Sequence, residues 1–279
     1  MEEAIDSHVH LWTDDRTRYP RLVGATNYPP MRFTPEDFFS HARPSGVTRA
    51  VLVQMSFYGF DNSYMLDCMR AHPGVFAGIA IIDSHAPDRA EAMRRLASQG
   101  VRGFRIVPGS APGTWLETPE MRAMWRDAAD QRLAMCALIN PSDIPRIDAM
   151  CTRFPETTVV IDHLARIGAG GAVRDEDVSS LCGLARHRHV LVKVSAFYAL
   201  GAKRAPYSDL APLVRRVFEA FGPQRLMWAS DCPFQVQDGH DYASSVDFVR
   251  ARLPFLTDED RSWLLSRTSA AHFFQTAAR

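Results

Sequence analysis

An eightfold alternation constrains this chain more than any other feature: short apolar runs rich in β-branched residues, each followed by a longer amphipathic stretch. The runs fall at 4–10, 50–54, 76–82, 101–107, 134–139, 158–163, 190–195 and 226–230. Most lack polar alternation, as strands covered on both faces of a parallel sheet do. Helical patterns lie at 35–43, 62–72, 87–99, 119–131, 142–153, 175–187, 208–221, 241–253 and 258–276. Several open with a capping hydroxyl and first-turn acids, as in Thr34-Pro35-Glu36-Asp37 and Thr257-Asp258-Glu259-Asp260, a sequence-level helix start. Eight such units in 279 residues predict an α/β chain folded as one (β/α)8 TIM barrel domain over residues 1–279. An open doubly wound sheet would place a glycine-rich turn after the first strand. The chain reads Asp6-Ser7-His8-Val9-His10 there, and its Gly168-Ala169-Gly170-Gly171 stretch is expected to be a flexible loop after the sixth strand.

Lysine plus arginine equals aspartate plus glutamate at 32 each, which removes any bulk electrostatic case for nucleic acid or an anionic membrane as partner. Five scattered cysteines without C-x-x-C spacing predict reduced thiols and a cytoplasmic location. The N-terminus reads as lacking a secretory signal, and no run approaches the roughly 20 apolar residues of a membrane span.

In a parallel barrel the C-terminal strand ends converge on one mouth, so polar residues that end strands are placed together by topology. His8 and His10 end the first strand and, two apart, point the same way, a natural metal pair. His163 ends the sixth strand, and Asp231 follows the eighth. Singly, each has a plain structural explanation, as a hydrogen-bonded histidine or a helix cap. Jointly they form a candidate site.

The blocks Ile5-Asp6-Ser7-His8-Val9-His10, Gly100-Val101-Arg102-Gly103-Phe104-Arg105, Ile161-Asp162-His163-Leu164-Ala165-Arg166 and Trp228-Ala229-Ser230-Asp231-Cys232-Pro233 carry a resemblance over nearly the whole chain. In this order and spacing they resemble the strand motifs of the amidohydrolase superfamily, closest to its lactonase branch. The resemblance implies that His8 and His10 are metal ligands or carbonyl polarisers. It also implies that His163 faces the substrate carbonyl and that Asp231 takes a proton from attacking water. His8, His10, His163 and Asp231 are then the expected site for one zinc or another divalent ion, with metal-free catalysis as the alternative. Binuclear members carry a bridging lysine or glutamate on the fourth strand and a histidine on the fifth. This chain offers Arg105 and Asn140 there, so a two-metal site is not expected. Decarboxylases of the superfamily place a further histidine after a later strand, whereas His187 and His189 precede the seventh strand here, at the wrong end of the barrel.

Arg105 and Arg166 are expected at the mouth, where guanidinium forks suit carboxylate or sulfonate groups; by resemblance, Arg166 matches a position that binds substrate carboxylate. Gln54, Asn140, Lys193 and Tyr198 are further substrate-binding candidates, with Tyr58, Ser195, Lys203 and Arg204 also on the rim. Lys193 lies within a strand, where burial demands either an ion-pair partner or a substrate contact. Trp115 reads as a packed loop anchor or part of a lid. The expected activity is hydrolysis of a small anionic lactone, with Asp231 as general base. The alternatives are metal-dependent non-oxidative decarboxylation of an aromatic or dienoic acid, and a binding barrel without catalysis. A homo-oligomer is left open.

Overall fold

A computed structural model describes residues 3–108 and 115–274. The strands are β1 (Ala4–Val9), β2 (Val47–Val53), β3 (Phe76–Ala80), β4 (Val101–Ile106), β5 (Ala134–Ala137), β6 (Val159–Ile161), β7 (Val190–Ser195) and β8 (Leu226–Ala229). They pair in parallel in the order β1 to β8. Beyond the last strand, Val9 bridges Cys232 in parallel, the His10 N–H donates to the Cys232 carbonyl at 2.8 Å, and the Asp231 N–H donates to the His8 carbonyl at 3.0 Å. The fold is therefore the expected (β/α)8 barrel, joined at its β8–β1 seam by the same residues singled out for chemistry.

The helices are α1 (Pro35–Ala42), α2 (Ser63–Ala71), α3 (Arg89–Ser98), α4 (Pro119–Asp130), α5 (Ile144–Arg153), α6 (Asp175–Gly183), α7 (Ala211–Phe221), α8 (Tyr242–Ala251), α9 (Asp258–Ser262) and α10 (Thr268–Phe273). The caps act as the sequence predicts: Thr34 accepts from the Asp37 N–H while Asp37 accepts from the Thr34 N–H, and Thr257 and Asp260 repeat the exchange. The expected helix at 258–276 is interrupted by a π turn at Trp263–Arg267. Its last two positions, 275 and 276, lie outside the described residues.

Two apolar bodies make up the core. Val51, Val53, Ala77, Ile79, Ala134, Cys136, Val160, Leu191 and Met227 pack together inside the barrel, with Phe273 of α10 closing its floor. The second body fills the space between strands and helices. Strand side chains alternate, so Val160, Leu191 and Met227 continue upward inside the barrel to Asp162, Lys193 and, past Ala229, Asp231. The interior thus turns from apolar floor to polar mouth within one or two steps of each strand.

Asp6 is fully buried at the seam. Its Oδ1 accepts the His8 and Ser230 N–H groups at 3.2 and 2.9 Å, and its Oδ2 accepts the Tyr242 hydroxyl at 2.7 Å. Burial raises its carboxyl to about 6, against the pull of those hydrogen bonds. Tyr242→Phe strips Oδ2 of its donor, and an unsatisfied buried acceptor costs about 1–3 kcal/mol. Urea unfolding at pH 7.5 is expected to show a loss of that size; an unchanged midpoint would mean the bond contributes nothing to seam closure.

All five cysteines are free, and four are buried. Among the described residues no helix is long and apolar enough to cross a membrane.

Candidate active site

Three strand ends, those of β1, β6 and β8, bring His8, His10, His163 and Asp231 together, all buried. His8 and His10 face each other through their Nε2 atoms at 3.2 Å. The His10 Nδ1–H donates to the Val53 carbonyl at 2.7 Å, so its Nε2 is an open acceptor in the neutral ring. Ser195 Oγ donates to the Lys193 carbonyl at 3.4 Å and lies 2.9 Å from His163 Nδ1. The Nδ1–H therefore donates to Ser195, and His163 Nε2 is likewise open. Asp231 Oδ1 lies 3.4 and 3.6 Å from Nε2 of His10 and His8, and Oδ2 lies 3.8 Å from His163 Nε2. Oδ2 accepts the Tyr198 hydroxyl at 2.7 Å, but Oδ1 is buried without a hydrogen-bond partner.

Acceptors thus converge on one point with no proton between several of them, which is the surrounding that a cation or a proton-donating water requires. The donor atoms of His8, His163 and Asp231 all lie within 4.8 Å of one another. Bonds of about 2.0–2.1 Å in a tetrahedral zinc site put ligand atoms roughly 3.3 Å apart, close to the spacings among His8, His10 and Asp231. The residues fit one divalent metal.

The backbone that aims these groups departs from ordinary geometry. His163, Leu164, Ala165 and Arg166 all have φ between 51 and 56°, and Ala196 and Asp231 have φ of 56 and 70°. Each non-glycine residue held there costs about 1–2 kcal/mol. Complete burial of Leu164 and Ala165 and the His163–Ser195 bond hold the turn, which directs His163 inward and Arg166 to the rim. Gly168 follows at φ 87°, where a side chain would come within 3.0 Å of the Gly201 nitrogen.

Lys193 is fully buried. Its Nζ lies 2.9 Å from Asp162 Oδ1 and 3.1 Å from His8 Nδ1. Asp162 Oδ1 is itself 3.4 Å from His8 Nδ1, and Arg105 Nη2 lies 3.6 Å from Asp162 Oδ2 and 3.3 Å from His8 Nε2. Burial opposes the charge on Asp162, but Lys193, His8 and Arg105 outweigh it and hold the carboxyl well below its usual range. Burial, reinforced by Lys193, lowers the His8 imidazole well below its usual value. Burial lowers His163 to about 4 against the pull of Asp231 and Asp162. Burial disfavours charge on Asp231, yet the three imidazoles facing it keep its carboxyl below the ordinary range.

Above the cluster is a cavity of about 290 Å³ lined by His10, Tyr28, Met55, Ser56, Arg105, Leu138, His163, Arg166, Ala169, Ala196, Tyr198, Ala199, Leu200, Asp231 and Phe234. It brings together the expected Arg105, Arg166 and Tyr198. Gln54 and Asn140 do not line it: Gln54 is buried and donates to the Asp61 carbonyl, and the Asn140 N–H donates to Asp143. Lys193 lies beneath the cavity as an ion-pair member. Tyr58 accepts from the Thr13 N–H, while Lys203 and Arg204 are exposed and line no part of it. Trp115 is buried as an anchor, although its loop neighbours Pro112 and Gly113 lie outside the described residues. His187 is tied to Asp148 at 2.8 Å, before β7. A larger surface groove of about 560 Å³ between α4 and α5 has Glu117 and three arginines as its ionisable liners and no imidazole.

Sequence reasoning missed Asp162, although Val160 inside the barrel places the residue two positions on inside as well, and a strand lysine calls for a buried acid. It also missed Asp6 and the rings of Tyr28 and Phe234 at the cavity.

The amidohydrolase family model matches residues 5–275. The chain is 28% identical to an L-fucono-1,5-lactonase of Burkholderia ambifaria, over 99% of this chain and 96% of that protein. It is 27% identical to a 2-pyrone-4,6-dicarboxylate hydrolase of Comamonas testosteroni, over 88% and 82%. The structure of a Pseudomonas putida protein assigned as a 2-pyrone-4,6-dicarboxylic acid hydrolase superposes with a TM-score of 0.84 at 26% identity, covering 98% of both chains. A 5-carboxyvanillate decarboxylase of Sphingomonas paucimobilis shares the fold more distantly, with a TM-score of 0.71 at 14% identity. With a matching barrel and a family match over almost its full length, this chain belongs to the amidohydrolase family.

Proposed function

We propose that the chain hydrolyses the ring ester of a small anionic lactone. The observation that carries this reading is the unpartnered Oδ1 of Asp231, buried opposite three imidazoles at the base of a cavity whose mouth holds Arg166. Ester hydrolysis needs a base for water, a polarised carbonyl and a proton for the leaving oxygen. Asp231 takes the proton from water, with Tyr198 holding its other oxygen in place. His163, neutral and fixed by Ser195, stands beside the carboxylate as proton carrier to the leaving oxygen. Arg166 orients the substrate anion, and the buried Lys193–Asp162 pair, flanked by Arg105, positions His8. His8, His10, His163 and Asp231 would hold one divalent metal, zinc by donor type, and such an ion supplies Lewis-acid polarisation of the carbonyl. The lactone hydrolases among the relatives support the reaction class.

The test is acid release from carboxylated, sulfonated and neutral lactones, before and after chelation and zinc replenishment. Acid from anionic lactones alone is expected. No acid, with carbon dioxide released from an aromatic acid, would replace this reading with decarboxylation. Because His163 is lowered to about 4, it stays neutral as pH falls through its ordinary 6.5. The profile of kcat/KM should accordingly be flat between about pH 5.5 and 8. An acid limb centred at 6.5 would contradict the role given to His163.

A further inference from the structure

The two guanidiniums at the cavity are not equally available. Arg105 is committed: its Nη2 lies against Asp162 and His8, its side chain is 9% exposed, and its unpartnered Nε–H is buried. Arg166 is exposed and pairs with no carboxylate among the described residues. The remaining charged liner is Asp231, which repels an anion. Much of the wall is apolar or aromatic: Tyr28, Met55, Leu138, Leu200 and Phe234. Tyr198 spends its hydroxyl on Asp231, and the open nitrogens of His10 and His163 face the reaction centre, which leaves Ser56 and the Tyr28 hydroxyl, among the described residues, as the neutral polar side-chain groups free to meet substrate hydroxyls away from it. A polyol placed there would bury hydroxyls without partners, at a cost for each. A second carboxylate would meet no free cation among the described residues that line the cavity and would approach Asp231.

We infer that the substrate is a flat, unsaturated lactone carrying one anionic group and few or no hydroxyls, its anion on Arg166 and its ring between Phe234 and Leu138. This rests on the lactonase reading and narrows it away from both sugar lactones and dicarboxylated pyrones. The volume of about 290 Å³, at the lower edge of small-molecule sites, suits a single ring.

Binding and turnover test it separately. Isothermal titration with unreactive acids should find benzoate bound about tenfold or more tightly than isophthalate or gluconate, since each of those leaves a charged or polar group without a partner. Arg166→Gln should weaken benzoate about tenfold through loss of a charge-assisted pair and leave benzamide unaffected. Turnover should run in the same order, with 2-pyrone-6-carboxylate ahead of 2-pyrone-4,6-dicarboxylate and of a hexono-1,5-lactone. Isophthalate or gluconate binding as tightly as benzoate, or benzoate indifferent to the Arg166 change, overturns the inference. A correct binding order with no lactone hydrolysed would leave the inference standing and defeat the lactonase reading.

Discussion

Asp231→Asn is expected to lower kcat about a thousandfold while benzoate binding stays within about threefold, because general-base catalysis is worth roughly 10²–10⁴ and an amide cannot take the proton. The substitution preserves shape, and the Tyr198 hydroxyl still finds an acceptor in the amide oxygen. What disappears is a buried carboxylate oxygen without a hydrogen bond, 3.4 Å from His10 and 3.6 Å from His8. Unfolding and ligand titration must accompany the kinetics. A variant that folds and binds but turns over at a tenth of the wild-type rate or better would remove Asp231 from the base role. Loss of folding and binding together would make it a structural residue of the β8–β1 seam.

Much of this arrangement was legible before any coordinates. Hydrophobic runs of strand length, helix caps and the position of polar residues at run ends are local signals, and the barrel follows from counting them. All eight strands appear, although β2 starts three residues before the expected position, at Val47, since Thr48 and Arg49 interrupt the apolar pattern there. The sequence could not reveal the turn that carries His163 and Arg166. Nothing in Asp162-His163-Leu164-Ala165-Arg166 favours four consecutive left-handed residues; that geometry is imposed by burial of Leu164 and Ala165 against the barrel. Nor could it sort the two arginines. Arg105 and Arg166 look alike as fork donors, and only the packing shows that one is committed to Asp162 while the other is free. Gln54 illustrates the opposite failure. It ends a strand and points to the rim by topology, yet the backbone at Asp61 claims its amide.

The second large effect is expected at Lys193, one of two lysines in the chain and fully buried. Lys193→Met removes the nearest counter-charge of Asp162, 2.9 Å away, and leaves a buried carboxylate whose remaining cation is Arg105 at 3.6 Å. Breaking a buried pair from one side costs about 3–5 kcal/mol, whereas replacing both partners with apolar groups is often close to neutral. Urea unfolding should therefore show Lys193→Met strongly destabilised and the double variant Lys193→Met with Asp162→Leu largely restored. Activity should not return with stability. Both groups that meet His8 Nδ1 are gone in the double variant, so the ring loses the contacts that choose which nitrogen carries its proton. A fall in kcat of about 10–100-fold, the scale of losing such orienting partners, should persist in a fully folded protein. Nitrogen-15 spectra of the histidines provide the independent readout: the wild type should show His8 in one dominant tautomer and the double variant a mixture. If the restored variant regains its activity and its His8 spectrum is unchanged, the pair serves folding alone, and the positioning of His8 must come from His10 and the backbone of β1.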